Sequence, residues 1–203
     1  MTELMQTVSA ALERRGFQVI HAKDRAEAAR KVLALIPEGA SIGVGGSVTV
    51  RETGVADVLL QRGHAVHWHW FDVEPKADIF PGAARSDVYL CSANAVTRDG
   101  QLVNIDGTGN RVAAMIHGPR AVIAIVGANK LVDGGYPQAL ARIKRDACPP
   151  NARRLNMSTP CALTDKCDAA NCEHGFCNVI SIQEHPTGKR PYTVVLVEEA
   201  LGY

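Results

Sequence analysis

Four cysteines, Cys161, Cys167, Cys172 and Cys177, fall in the run "CALTDKCDAANCEHGFC", with gaps of five, four and four residues. Thiolates bind soft or borderline metals, and a four-cysteine set suits zinc or an iron–sulfur cluster. Zinc sites usually use tighter pairs, and the common ferredoxin run has gaps of two. The wider spacing here fits neither template closely; the clustering of four thiols is what points to a metal centre, and its type stays open. Asp165, Asp168, Glu173 and His174 are neighbouring substitute ligands. The competing readings are reduced structural thiols or a disulfide. Cys91, inside the apolar "VYLCSA", reads as an inert core residue. Cys148 stays unassigned.

Two glycine-rich stretches could hold an anion. In "GVGGSVTVRETG", Gly45 and Gly46 let the backbone approach a ligand, and Ser47 and Thr49 offer hydroxyls. A helix N-terminus just beyond would favour negative charge. The second stretch, "NIDGTGNR", places Gly107 and Gly109 around Thr108, with Arg111 entering a helix. Two such loops at the strand ends of one sheet would converge on one crevice. Around it we expect Asn94, Asp106, Asn110, Arg111 and Lys130, with Glu52 as the carboxylate for attack or proton transfer. The plainer alternative is that glycine serves tight turns and that Asp106 and Asn110 cap them. Neither stretch is a dinucleotide fingerprint or a Walker loop, and no NAD or flavin signature is present. In "AVHWHW" (65–70), period two would put His67 and His69 on one face of a strand. That reads as a packed aromatic face opposite a wetter one rather than as a metal site.

Such groups need a scaffold. The chain has 203 residues, 46% hydrophobic and 21% charged, with formal net charge +1. That is enough for one domain, and the charge gives no reason to expect nucleic acid or a membrane surface as partner. No signal peptide or membrane-spanning run is apparent, so the expected compartment is the cytoplasm, where thiols stay reduced. Helical spacing in "LMQTVSAALERRG", with Gly16 as its stop, opens the chain. Asp24 and Glu27 start a second helix, capping-box fashion. "FQVIHA", "SIGV", "SDVYLCSA", "RAVIAIVGANK" and "YTVVLVEEALGY" read as strands, and Asp99-Gly100 supplies a hairpin turn. Strands alternating with helices predict an α/β domain with a mostly parallel sheet flanked by helices. Residues 148–191, rich in proline and cysteine, read as an irregular insert or flap on a single domain of residues 1–203. A loop that long needs something to hold it.

Taken together, "SIGVGGSVTVRETG", "SANAVTRDGQLVNIDGTGNRVAAMIHGPRAVIAIVGANK" and "PCALTDKCDAANCEHGFCN" resemble the LUD domain of lactate-utilisation proteins, the LutC/YkgG family. The likeness is to its short branch with a cysteine-bearing tail, and it runs nearly end to end. The tail keeps all four thiols but replaces the family's Thr-Gly-Lys-Cys and Asp-Cys surroundings with "LTDKC", "AANC" and "HGFC". The resemblance implies a fold of the NagB/RpiA/CoA-transferase type. It also implies an accessory role in oxidising L-lactate to pyruvate, beside iron–sulfur partner subunits. Two alternatives stay open: a stand-alone sugar-phosphate isomerase or acyl/CoA-transferase-like enzyme using Glu52, and a structural zinc protein presenting an interaction surface. Whether the chain catalyses alone, and whether it forms a homo-oligomer, is open at this level.

Overall fold

The computed structural model describes residues 1–71 and 75–203, and Lys76 through its backbone alone. Helix α1 (Glu3–Arg14) begins where Thr2 accepts a hydrogen bond from the Met5 amide, and it buries Met5, Val8 and Leu12. Gly16, at φ +89°, releases the chain into strand β1 (Gln18–Ala22). Asp24 caps α2 (Arg25–Leu35), and Glu27 reaches back to the Lys23 amide. Next come β2 (Ile42–Val44), α3 (Val48–Thr53), α4 (Val55–Gln61), β3 (Val66–His67), α5 (Lys76–Ala84) and β4 (Val88–Cys91). The Asp99-Gly100 turn joins β5 (Ala95–Thr97) to β6 (Leu102–Asp106) as an antiparallel hairpin. Then follow α6 (Asn110–Ile116), β7 (Ala121–Gly127), β8 (Leu131–Val132), α7 (Tyr136–Arg142), α8 (Cys148–Arg154), α9 (Pro160–Thr164), β9 (Val179–Gln183) and β10 (Tyr192–Val197).

The main sheet has the order β1-β10-β7-β4-β2-β3, and every pairing in it is parallel. Its central strands β7 and β10 are continuous apolar runs, as burial on both faces requires. One face packs α2, α3 and α4 around Ile42, Leu59 and Ile125; the other packs α1 and α6 around Leu12, Met115 and Val126. A second sheet, β8-β5-β6-β9, lies beside it, and β5–β6 and β6–β9 are antiparallel. A third apolar cluster joins this sheet to α7, α8 and α9 through Val103, Ile143, Ala152 and Cys161. No helix among the described residues is long and apolar enough to cross a membrane.

Two segments differ from their expected shape. The strand expected over 65–70 ends at His67. Beyond it the chain turns, with Phe71 N donating to Trp68 O, and Trp68 packs against Trp70 and Phe71. Aromatic packing at the sheet edge displaces further pairing, so His67 and His69 do not share a strand face. The second is the segment from residue 148, which begins inside a helix. Residues Ile143–Ala147 form a π-helical turn that continues α7 into α8 across Pro149 and Pro150. Prolines lack amide donors, and the wider turn sits where those bonds are missing.

Candidate functional site

A crevice of about 550 Å³ opens between the two sheets. One wall is the loop after β2, contributing Gly46, Ser47 and Thr49; the other is the loop after β6, contributing Asp106, Gly107, Thr108 and Asn110. The two loops meet as expected, but not at the edge of one parallel sheet: β2 belongs to the main sheet and β6 to the second. Asn94, Arg111 and Lys130 also line the crevice. Gly45 stands just behind it. A Cβ there would come within 2.9 Å of the Tyr89 hydroxyl and 3.0 Å of Arg111 Cγ, so only glycine fits. Gly109 sets the entry to α6 at φ +85° and does not line the cavity.

Arg111 is expected to hold an anion, and the structure gives its guanidinium other work. It donates to the Ser92 and Ile105 carbonyls and to the side-chain oxygens of Asn104 (2.6 Å) and Asn94 (3.0 Å). Its Nε lies 3.2 Å from Asp106 Oδ2. Asn94 in turn accepts from Ile105 N, and Asn104 from Asn94 N. Arg111 therefore knits the crevice floor together, with both terminal nitrogens fully engaged. Asp106 Oδ1 accepts from Gly109 N, the turn-capping role, while its buried Oδ2 makes no aligned hydrogen bond.

Lys130 is different. It is 4% exposed, and its Nζ donates to Thr49 Oγ1 at 2.6 Å and Ser92 Oγ at 3.0 Å. No described carboxylate forms an ion pair with it. Burial, followed by repulsion from Arg142 and Arg111, pulls its pKa down to about 7. Glu52, expected as the crevice carboxylate, does not line the cavity. Its Oε2 accepts from Gly202 N at 2.7 Å, while Thr49 donates to Leu201 O, so both residues clamp the C-terminal segment. The last residue, Tyr203, then lines the crevice.

Sequence reasoning missed the far wall. Arg154, Asn151, Trp70 and His69 line it. The Arg154 guanidinium lies 5.0 Å over the Trp70 ring and donates to Asn151, and none of the described carboxylates pairs with it. The signal was hidden because Arg154 ends a helix that two prolines argued against.

The tail cysteines form a second, smaller cavity of about 30 Å³, lined by Cys161, Cys167, Cys172 and Cys177 together with Cys148. Cys148 Sγ and Cys177 Sγ are 3.6 Å apart. The contact between them lowers the Cys177 thiol and raises that of Cys148, as expected for a pair sharing one proton. No three His, Cys, Asp or Glu side chains among the described residues stand in a metal-holding arrangement. Asp165 pairs with Arg153, and Asp168 caps a short turn at Asn171, so both carboxylates are engaged within the tail. Phe176 and Asn178 then seat the tail on the second glycine loop: Asn178 donates to the Gly107 carbonyl, and a Cβ on Gly107 would come within 3.1 Å of the Phe176 carbonyl. Cys91 is fully buried in β4, and burial pushes its thiol up to about 12.

The fold and crevice define an α/β protein with a parallel six-stranded sheet and an open crevice at its flank. The LUD domain family model matches residues 5–197, and the chain belongs to that family. A crystal structure of a DUF162 family protein from Deinococcus radiodurans is similar, at 12% identity and a TM-score of 0.58, with 96% of each chain covered. That likeness shows the fold, which is consistent with the NagB/RpiA/CoA-transferase-like grouping. No curated protein matches the chain significantly.

Proposed function

We propose that this LUD-family protein is an accessory subunit in the oxidation of L-lactate to pyruvate, binding a small carboxylate in the crevice and a metal centre on its cysteine tail. The observation that carries the reading is Lys130: a buried amine on the crevice wall with hydroxyl partners and, among the described residues, no carboxylate in an ion pair with it. Burying an unpaired cation is costly, and an anionic ligand would supply the missing charge. Arg154 adds a second cation across the cleft. Helices α3 and α6 have six and seven residues, so their dipoles contribute little beside these full charges. On this reading Cys161, Cys167, Cys172 and Cys177 hold zinc or an iron–sulfur cluster. The electrons of lactate oxidation pass to iron–sulfur partner subunits in the cytoplasm. Nothing in the geometry favours the Glu52-based enzyme.

Calorimetric titration with L-lactate, pyruvate and phosphate tests the crevice. At least one should bind, and Lys130→Met should weaken it by about 1.5–3 kcal/mol, the usual worth of a charge-assisted contact. Equal binding by wild type and variant would remove the crevice reading.

A further inference from the structure

Cys148 lies outside the four-thiol tail, separated from it by Pro149, Pro150 and Pro160. The fold nevertheless returns the tail to it. The π-helical turn carries the helix through to Cys148, and α9 folds back against α8, tied by the Arg153–Asp165 ion pair. As a result five thiols, not four, surround one cavity.

Three observations bear on what that cavity takes. First, the cavity is small, at about 30 Å³, and admits a species the size of a water or two, which suits a single ion. Second, Cys148 and Cys177 stand 3.6 Å apart. Two thiolates on one tetrahedral zinc, at about 2.3 Å from the metal, are about 3.8 Å apart, while bonded sulfurs are about 2.05 Å apart. The pair is thus spaced as one edge of a coordination tetrahedron. Third, Cys148 and Cys161 are the buried members of the set, and both sit on helices. Helical donors are held more firmly than the loop thiols Cys167, Cys172 and Cys177, so they form the fixed half of a site that the loop closes.

We infer that the cysteine tail closes on one zinc-like ion and that Cys148 is one of its four thiolate ligands, leaving one tail thiol outside the coordination sphere. This rests on the metal reading proposed above. It differs from that reading in donor set and in nuclearity.

The test uses the full chain, purified and reduced without oxygen, and loaded with Co²⁺ alone. Wild type should take one Co²⁺ per chain and show intense thiolate-to-cobalt absorption. Cys148→Ser should lower Co²⁺ affinity by more than about 100-fold in chelator competition, beyond the roughly 10- to 100-fold loss that outer-shell changes bring. It should also weaken the charge-transfer band. Cys91→Ser should change neither. If Cys148→Ser does not fold, wild type still decides: zinc should block the Cys148–Cys177 disulfide that diamide forms in the metal-free chain. Wild-type Co²⁺ binding matched by Cys148→Ser overturns this inference alone, as does disulfide formation undiminished by zinc. Reconstitution with four irons per chain overturns the single-ion claim. A wild type that takes neither metal overturns the proposed metal centre as well.

Discussion

The crevice and the thiol cavity are neighbours built on opposite principles. In the crevice nearly every polar group is held by another before any ligand arrives: Arg111 alone bonds four oxygens and pairs with Asp106. The thiol cavity is lined by five sulfurs, three of them on loops; among the described residues Cys148 meets Cys177 and Thr159 meets Cys161. The first is preorganised by the chain. The second needs an ion to finish it. The comparison separates what folding supplies from what a bound species must supply.

Breaking the crevice should produce the largest change. Arg111→Met leaves the buried Asp106 carboxylate without its counter-charge and takes one donor each from the oxygens of Asn94 and Asn104. We expect a loss of about 3–5 kcal/mol of stability, the scale of half a buried pair removed. Urea unfolding measures it, and Asp106→Asn in the same chain should recover part of the loss. A change under about 1 kcal/mol would mean the network is not what holds the floor.

A second effect is smaller over any one pH unit and accumulates with pH. The Lys130 pKa is lowered in the folded chain to about 7, from 10.5. Between those values the unfolded chain binds more protons, so stability should rise with pH across that window, by up to about 1.4 kcal/mol per unit. Below about 7 the amine is charged in both states and the slope vanishes. Sulfate, an anion throughout, should bind best below about 7 and lose up to about tenfold per unit above it. Lys130→Met should flatten both profiles. A wild-type sulfate titration independent of pH would show that the amine is not the group that meets the anion.

The smallest effect sharpens the contrast between thiols. Cys91→Ala should cost about 1 kcal/mol and leave metal uptake unchanged, because the residue only fills space in β4. In the metal-free folded chain iodoacetamide should modify Cys167 and spare Cys91, which is buried and has a raised pKa. Mass mapping of the alkylated peptides distinguishes them.

Much of this was legible in the sequence, and the misses have physical causes. Local chemistry read well: Asp24 caps a helix, Gly16 stops one, Asp99-Gly100 turns a hairpin. Ten of the twelve expected ligand-binding residues line the crevice. What could not be read was where a strand goes after it leaves a sheet. β5 and β6 look like any half-buried strands, yet they build a second sheet, and only that displacement makes the two glycine loops face each other. The helix through Pro149 and Pro150 was hidden for a related reason: proline argues against a helix locally, while a π-helical turn accommodates it within the tertiary structure. That one misreading concealed both Arg154 and the place of Cys148. Glu52 was misplaced because spacing gives no hint that the C-terminal segment would occupy its hydrogen-bonding face.

Cys148, Gly175 and Phe176 line both cavities, so a single wall has two sides. A wall with two sides cannot move on one alone. If closing on an ion draws Gly175 and Phe176 toward the fixed Cys148, the crevice changes shape with it, and the ion alters the carboxylate's affinity by some factor. Thermodynamic reciprocity then requires the carboxylate to alter the ion's affinity by that same factor. Occupancy on one side of the wall would thus be reported on the other, with no moving domain and no second subunit.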